Sequence, residues 1–169
     1  MVLFKKIACK GKYQDDQAIS DVVTYITRPD KTPTGLVYGV NVDLQNIAES
    51  MIAVSKQYGK YTRLRLHHFI ITFKPENKGN FTLFSKLMEE ICSYIGRVYQ
   101  IVAALHEDTQ HPHIHFVFNA VSYVNGYKFH GGKEDYYELI EMIASILSAH
   151  KIYPLIPVKY IPKVNNPHE

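Results

Sequence analysis

The stretch from Val98 to Asn119, VYQIVAALHEDTQHPHIHFVFN, constrains the fold more than any other part of the chain. Val98 to Leu105 is apolar and rich in β-branched residues, which favours a strand ending at His106. A second apolar alternation begins at His113, and the short link Glu107 to Pro112 would return the chain antiparallel. Side chains two apart on a strand share a face, so His113 and His115 point the same way while Ile114 enters the opposite layer. The return brings His106 beside that pair. Three neutral imidazoles that converge and leave coordination positions open make a catalytic rather than a closed structural metal site. An H-x-H pair alone is a weak motif that an exposed polar face also produces. The upstream His106-x-Asp108 and the apolar strand that follows give this one its weight.

The bulk properties narrow the class. With 169 residues and 46% apolar content, the chain suits one globular domain with a sizeable core. No uninterrupted apolar run approaches the ~20 residues of a membrane span, and the first residues lack a signal-peptide pattern, so the cytoplasm is the default compartment. Cys9 and Cys92 stand far apart and read as reduced, packed thiols. A net charge of +3 permits polyanion binding without demanding it. Thirteen tyrosines include faces that could stack on unpaired bases, although half-buried packing explains most of them.

Taken in order, Val2–Ala8 reads as a strand and the segment from Gln17 as a helix. That helix has Ile19, Val22, Val23 and Ile26 on one face and Asp15 or Asp16 as N-cap. Thr27–Gly35 is a loop carrying Arg28 and Lys31. Tyr25, just ahead of it, could meet a phosphate held by those two cations, but read by itself it is more simply a helix-end residue capping the core. Leu36–Val42 is extended and Leu44–Tyr58 is an amphipathic helix. Lys56, Lys60, Arg63 and Arg65 interleave with Tyr58 and Tyr61, which suits a nucleic-acid strand as well as it suits a solvated helix end. His67–Phe73 is a strand apolar on both faces beyond its histidines, hence central in a sheet. Phe81–Gly96 and Glu134–Ala149 are helices, with an Asn125-Gly126 turn and a short hairpin arm at Tyr127–His130 before the second. The expected fold is α/β, a central and mainly antiparallel sheet flanked by helices in two or three layers, over residues 1–153. An irregular proline-rich tail occupies 154–169.

Three separated blocks, VTYITRPDKT, HHFIITFKPEN and HEDTQHPHIHFVFNAVSYVNGYKFH, occur in an order that resembles the relaxase (mobilization nuclease) branch of the HUH endonucleases. The paired histidines of that name correspond to His113-Ile114-His115, and the resemblance runs from about Ala18 to about Ile146. It implies an HUH-like sandwich, Tyr25 as nucleophile, and His106, His113 and His115 as metal ligands. Asp108 then matches the family's acidic residue two positions after the first histidine. The implied activity is nicking and rejoining of single-stranded or locally melted DNA at a transfer origin through a 5′-phosphotyrosine. Accessory mobilization proteins are implied partners and a monomer is the expected state. Family members commonly continue into further C-terminal domains, so the chain reads as a minimal member or as a catalytic domain on its own.

The chemistry suits these residue types. A phosphodiester is anionic and resists attack, and a divalent ion on its non-bridging oxygens supplies Lewis-acid stabilisation. Phenols ionise near pH ~10, so cations such as Arg28 and Lys31 help the phenolate form. Manganese or magnesium is the expected ion in the cell, while three imidazoles would also take zinc in vitro. Asp108 reads as a residue holding one imidazole N–H rather than as a ligand. Lys60, Arg63 and Arg65 join Arg28 and Lys31 as candidate DNA contacts, and His111, His68 and Asn119 are candidates for supporting contacts. Two alternatives keep the superfamily: a rolling-circle replication initiator, or a single-tyrosine transposase using Tyr136 or Tyr137. A third is a non-catalytic, metal-stabilised module that binds single strands.

Overall fold

The computed structural model describes residues 2–7, 13–33 and 35–155. In chain order the elements are strand β1 (Val2–Lys6), helix α1 (Asp16–Ile26), β2 (Val37–Val40), α2 (Ile47–Gln57), β3 (Leu66–Thr72), α3 (Phe81–Ile95), β4 (Ile101–His106), β5 (His113–Asn119), α4 (Lys133–Ala149) and β6 (Pro154–Leu155). Each helix forms where apolar residues recur at three and four positions, and each long strand where β-branched and aromatic residues cluster. The Asp15 carboxylate accepts from the Ala18 amide at 2.7 Å at the start of α1, a cap worth about 1 kcal/mol.

The strands form one six-stranded sheet in the order β2-β4-β5-β3-β1-β6. Neighbours run antiparallel except β1 and β6. Strands β5 and β3 are therefore internal, as the two-sided apolar pattern of HHFIITF predicts. Period-two alternation sends the residues of each central strand into two separate cores. Phe69, Ile71, Ile101, Ala103, Ile114, Phe116 and Phe118 pack with α3 and α4. Leu66, Val102, Ala104 and Val117 pack with α1 and α2. The result is the expected mainly antiparallel sheet flanked by helices, in three layers.

Boundaries shift for local reasons. Strand β4 begins at Ile101 rather than Val98, because the amides of Val98 and Tyr99 still bond the Ile95 carbonyl and unwind α3. The arm at Tyr127–His130 is a single bridge, Val121 to Lys128, around the Asn125-Gly126 turn. Gly126 has φ +70°, and a Cβ there would meet the Tyr58 ring, so both backbone and space require glycine. Where an irregular tail was expected, Pro154 and Leu155 pair with Val2 and Leu3. Ala8, Cys9 and the tail from residue 156 lie outside the described residues, and Cys92 is a buried free thiol.

Candidate metal centre and nucleophile

The α1/α2 side of the sheet carries His68 on β3, His106 on β4 and His113 and His115 on β5. Antiparallel register puts His106 opposite His113 and Ala104 opposite His115, so three imidazoles meet at one end of the strands. Their ring centroids are 4.3 to 5.3 Å apart, and one ligand nitrogen from each lies within 4.8 Å of the others.

Each ring uses one nitrogen for orientation. His106 Nε2 donates to the Ile26 carbonyl at 2.8 Å, satisfying a group that the end of α1 leaves open. His113 Nδ1 donates to the His111 carbonyl at 3.1 Å. His115 Nδ1 lies 2.9 Å from His68 Nε2, and His68 Nδ1 lies 3.1 Å from the Tyr13 hydroxyl. The remaining nitrogens of His106 and His115, Nδ1 and Nε2, are buried and have no hydrogen-bond partner. Two buried nitrogens without a partner beside a third imidazole are what a divalent cation would satisfy, so the residues fit a metal ion. Burial first, and the neighbouring rings after it, hold the basicity of His115 far below the usual histidine range. Burial also lowers His106, and it lowers His68 to about 4. His106 and His115 are therefore held neutral, which is the ligand form.

Helix α1 delivers Tyr25 to this cluster. The ring is exposed and stands edge-on to His115 at 5.6 Å and to His106 at 5.8 Å between centroids. Three ties hold the end of α1 and its loop against β4: the His106 bond to Ile26, the Glu107 amide to the Lys31 carbonyl at 3.2 Å, and an ion pair of Lys31 with Asp108 at 2.8 Å. Within the loop, the Thr32 hydroxyl donates to the same Ile26 carbonyl and holds the loop to α1. The Lys31 ammonium sits 5.7 Å from the centre of the Tyr25 ring.

Several expected roles change. Asp108 holds Lys31 and not an imidazole, and that contact keeps its carboxyl below the usual range. Arg28 is exposed and closes a two-pronged pair on Asp30. His111 turns aside at Pro112 and donates to the Phe73 carbonyl at 3.2 Å. Asn119 lies at the far end of β5, roughly 20 Å of strand from His113, where its amide clips Met51 and Gln100. Arg65 leaves the set of exposed cations: its side chain is 3% accessible and pairs with Asp16 at 2.9 Å. Lys60 and Arg63 remain exposed. Tyr136 is buried with its hydroxyl 3.2 Å from His67 Nδ1, and α4, which carries Tyr136 and Tyr137, packs on the opposite side of the sheet from the triad. Sequence reasoning missed Tyr13 and the Ile26 carbonyl; the first sits in a polar turn without periodicity, and the second is a backbone atom.

With this fold and this histidine cluster in place, the comparisons show the class of this domain. Residues 25–152 match the family model Relaxase: MobA/VirD2-like, nuclease domain, and the chain belongs to that family. Among curated proteins it is similar to a protein rlx of Staphylococcus aureus, 27% identical over 113 residues, which are 67% of this chain and 34% of that one. A second protein rlx of the same organism is 29% identical over 98 residues, 57% of this chain and 30% of the relative. The chain spans about a third of the length of these curated relatives. No solved structure matches.

Proposed function

We propose that the domain nicks single-stranded DNA by transesterification, with Tyr25 as nucleophile and His106, His113 and His115 as the ligands of a divalent ion. The observation that carries this reading is the placement of the Tyr25 ring against two imidazoles whose free nitrogens converge. A divalent ion there would polarise the scissile phosphate and steady its non-bridging oxygens. The Tyr25 oxygen forms a bond to phosphorus as the bond to the 3′ oxygen breaks. The phenol releases its proton to solvent and the departing 3′ oxygen gains one. The product keeps the 5′ end on the protein as a phosphodiester, so reversal rejoins the strand. Lys31, anchored by Asp108, keeps a positive charge beside the Tyr25 ring. Lys60 and Arg63 supply backbone contacts farther along the strand.

The ion is manganese or magnesium in this reading, with zinc able to occupy the same nitrogens. The DNA is the strand at a transfer origin. The test is incubation of the protein with a labelled single-stranded origin oligonucleotide and manganese, followed by denaturing electrophoresis. A retarded protein–DNA band that Tyr25→Phe abolishes supports the reading; an undiminished band in that variant overturns it. A chelator separates the non-catalytic alternative, since a structural site should melt when stripped while a catalytic one should keep its fold and lose nicking.

A further inference from the structure

Behind the triad, His115 is linked to two side chains, His68 and Tyr13, that the proposed chemistry does not use. His115 Nδ1, His68 Nε2, His68 Nδ1 and the Tyr13 hydroxyl are linked by contacts of 2.9 and 3.1 Å. His106 and His113 bond backbone carbonyls, which only accept, so their proton positions follow from geometry. His115 differs, because its partner is another imidazole and the pair can be written in two directions. In one, His115 Nδ1–H donates to His68 Nε2 and His68 Nδ1–H donates to Tyr13. In the other, every proton moves along and His115 Nε2 carries a hydrogen into the space shared with His106 and His113.

We infer that the first direction holds, and that His68 and Tyr13 are positioning residues which aim the His115 Nε2 lone pair into the triad. His115 Nε2 is buried without a partner, and a buried unsatisfied N–H is rarer and costlier than an idle acceptor. The relay is anchored at both ends. His68 lies on an internal strand and is 4% exposed, while the Tyr13 carbonyl accepts from the Arg65 amide at 2.7 Å just ahead of β3. The Tyr13 backbone is held at φ +60°, a conformation a tyrosine adopts only under constraint, and this places its ring beside His68.

The inference rests on the metal reading above, and two measurements keep their failures apart. Imidazole nitrogen NMR on the ion-free protein reads the relay itself. Protons on Nδ1 of both His115 and His68 are expected, and a proton on His115 Nε2 overturns the inference whether or not the protein takes an ion. Calorimetric titration with manganese reads its consequence. His68→Leu should weaken binding by about 10- to 100-fold and Tyr13→Phe by less, whereas His68→Gln, which keeps an acceptor, should recover much of the loss. Folded His68→Leu with unchanged affinity, in a wild type that binds the ion, overturns the inference. A wild type that binds no ion while both rings keep their Nδ1 protons instead overturns the metal reading alone.

Discussion

His67 and His68 are neighbours on β3, both buried, and burial lowers each of them to about 4. Their ring nitrogens nonetheless go to different ends. On the α3/α4 side, His67 Nε2 donates to the Phe129 carbonyl at 2.8 Å and its Nδ1 accepts from Tyr136 at 3.2 Å, with Phe118 stacked on the ring. That polar unit is complete, and nothing about it asks for a ligand. On the α1/α2 side, His68 passes its bond to His115, whose far nitrogen ends in a buried space with no partner. Burial and lowered basicity therefore do not separate a structural histidine from one that serves a site. The unsatisfied atom at the end of the chain of bonds does.

The strongest way to break this contrast is to remove a ring from each side. His115→Ala should cost at least about 100-fold in manganese affinity by calorimetry, beyond what losing a residue behind a ligand costs. His67→Gln should leave that affinity unchanged; equal losses would mean that both sides of the sheet feed one centre. The second test concerns acid. The unfolded chain protonates His67 as pH falls through 6.5, but the folded chain does so only near 4, so its contribution is complete above 6.5 and is lost as pH falls toward 4. That loss is about 3 kcal/mol, and His67→Gln should flatten the fall in urea stability over the window. An unchanged slope would show that the fold does not hold His67 neutral.

A smaller effect is expected at Asp108→Asn. The Lys31 pair is partly exposed, a class worth roughly 0.2–1 kcal/mol, so nicking should slow only a few-fold with manganese affinity intact. A collapse in affinity would instead make Asp108 a ligand. Smallest are Lys60→Ala and Arg63→Ala, each lowering the salt dependence of single-strand binding by about one unit in slope. Arg65→Ala should act on stability instead, because it removes a buried guanidinium that pairs with the partly exposed Asp16 carboxylate.

The sheet and the triad were legible because both rest on period-two alternation and on residue chemistry, which a linear sequence carries openly. HHFIITF announced an internal strand, and the short link after His106 announced the hairpin. His68 and not His67 was legible in the sequence as a candidate supporting residue, but their partners were not, since these are a ring 47 positions away in one case and a backbone carbonyl in the other. Arg65 read as a DNA contact because its neighbours are basic and exposed; tertiary packing alone buries it. Asn119 was drawn in by its closeness to the histidines in sequence, yet a strand of seven residues separates its two ends.

Tyr25 at the imidazole cluster is the central claim, and mass spectrometry of the protein–DNA adduct tests it most directly. After reaction with the origin oligonucleotide and manganese, proteolysis and nuclease trimming should leave a nucleotide 5′-linked through phosphate to the peptide containing Tyr25. The same mass on a peptide containing Tyr136, Tyr137 or any other residue would contradict the account.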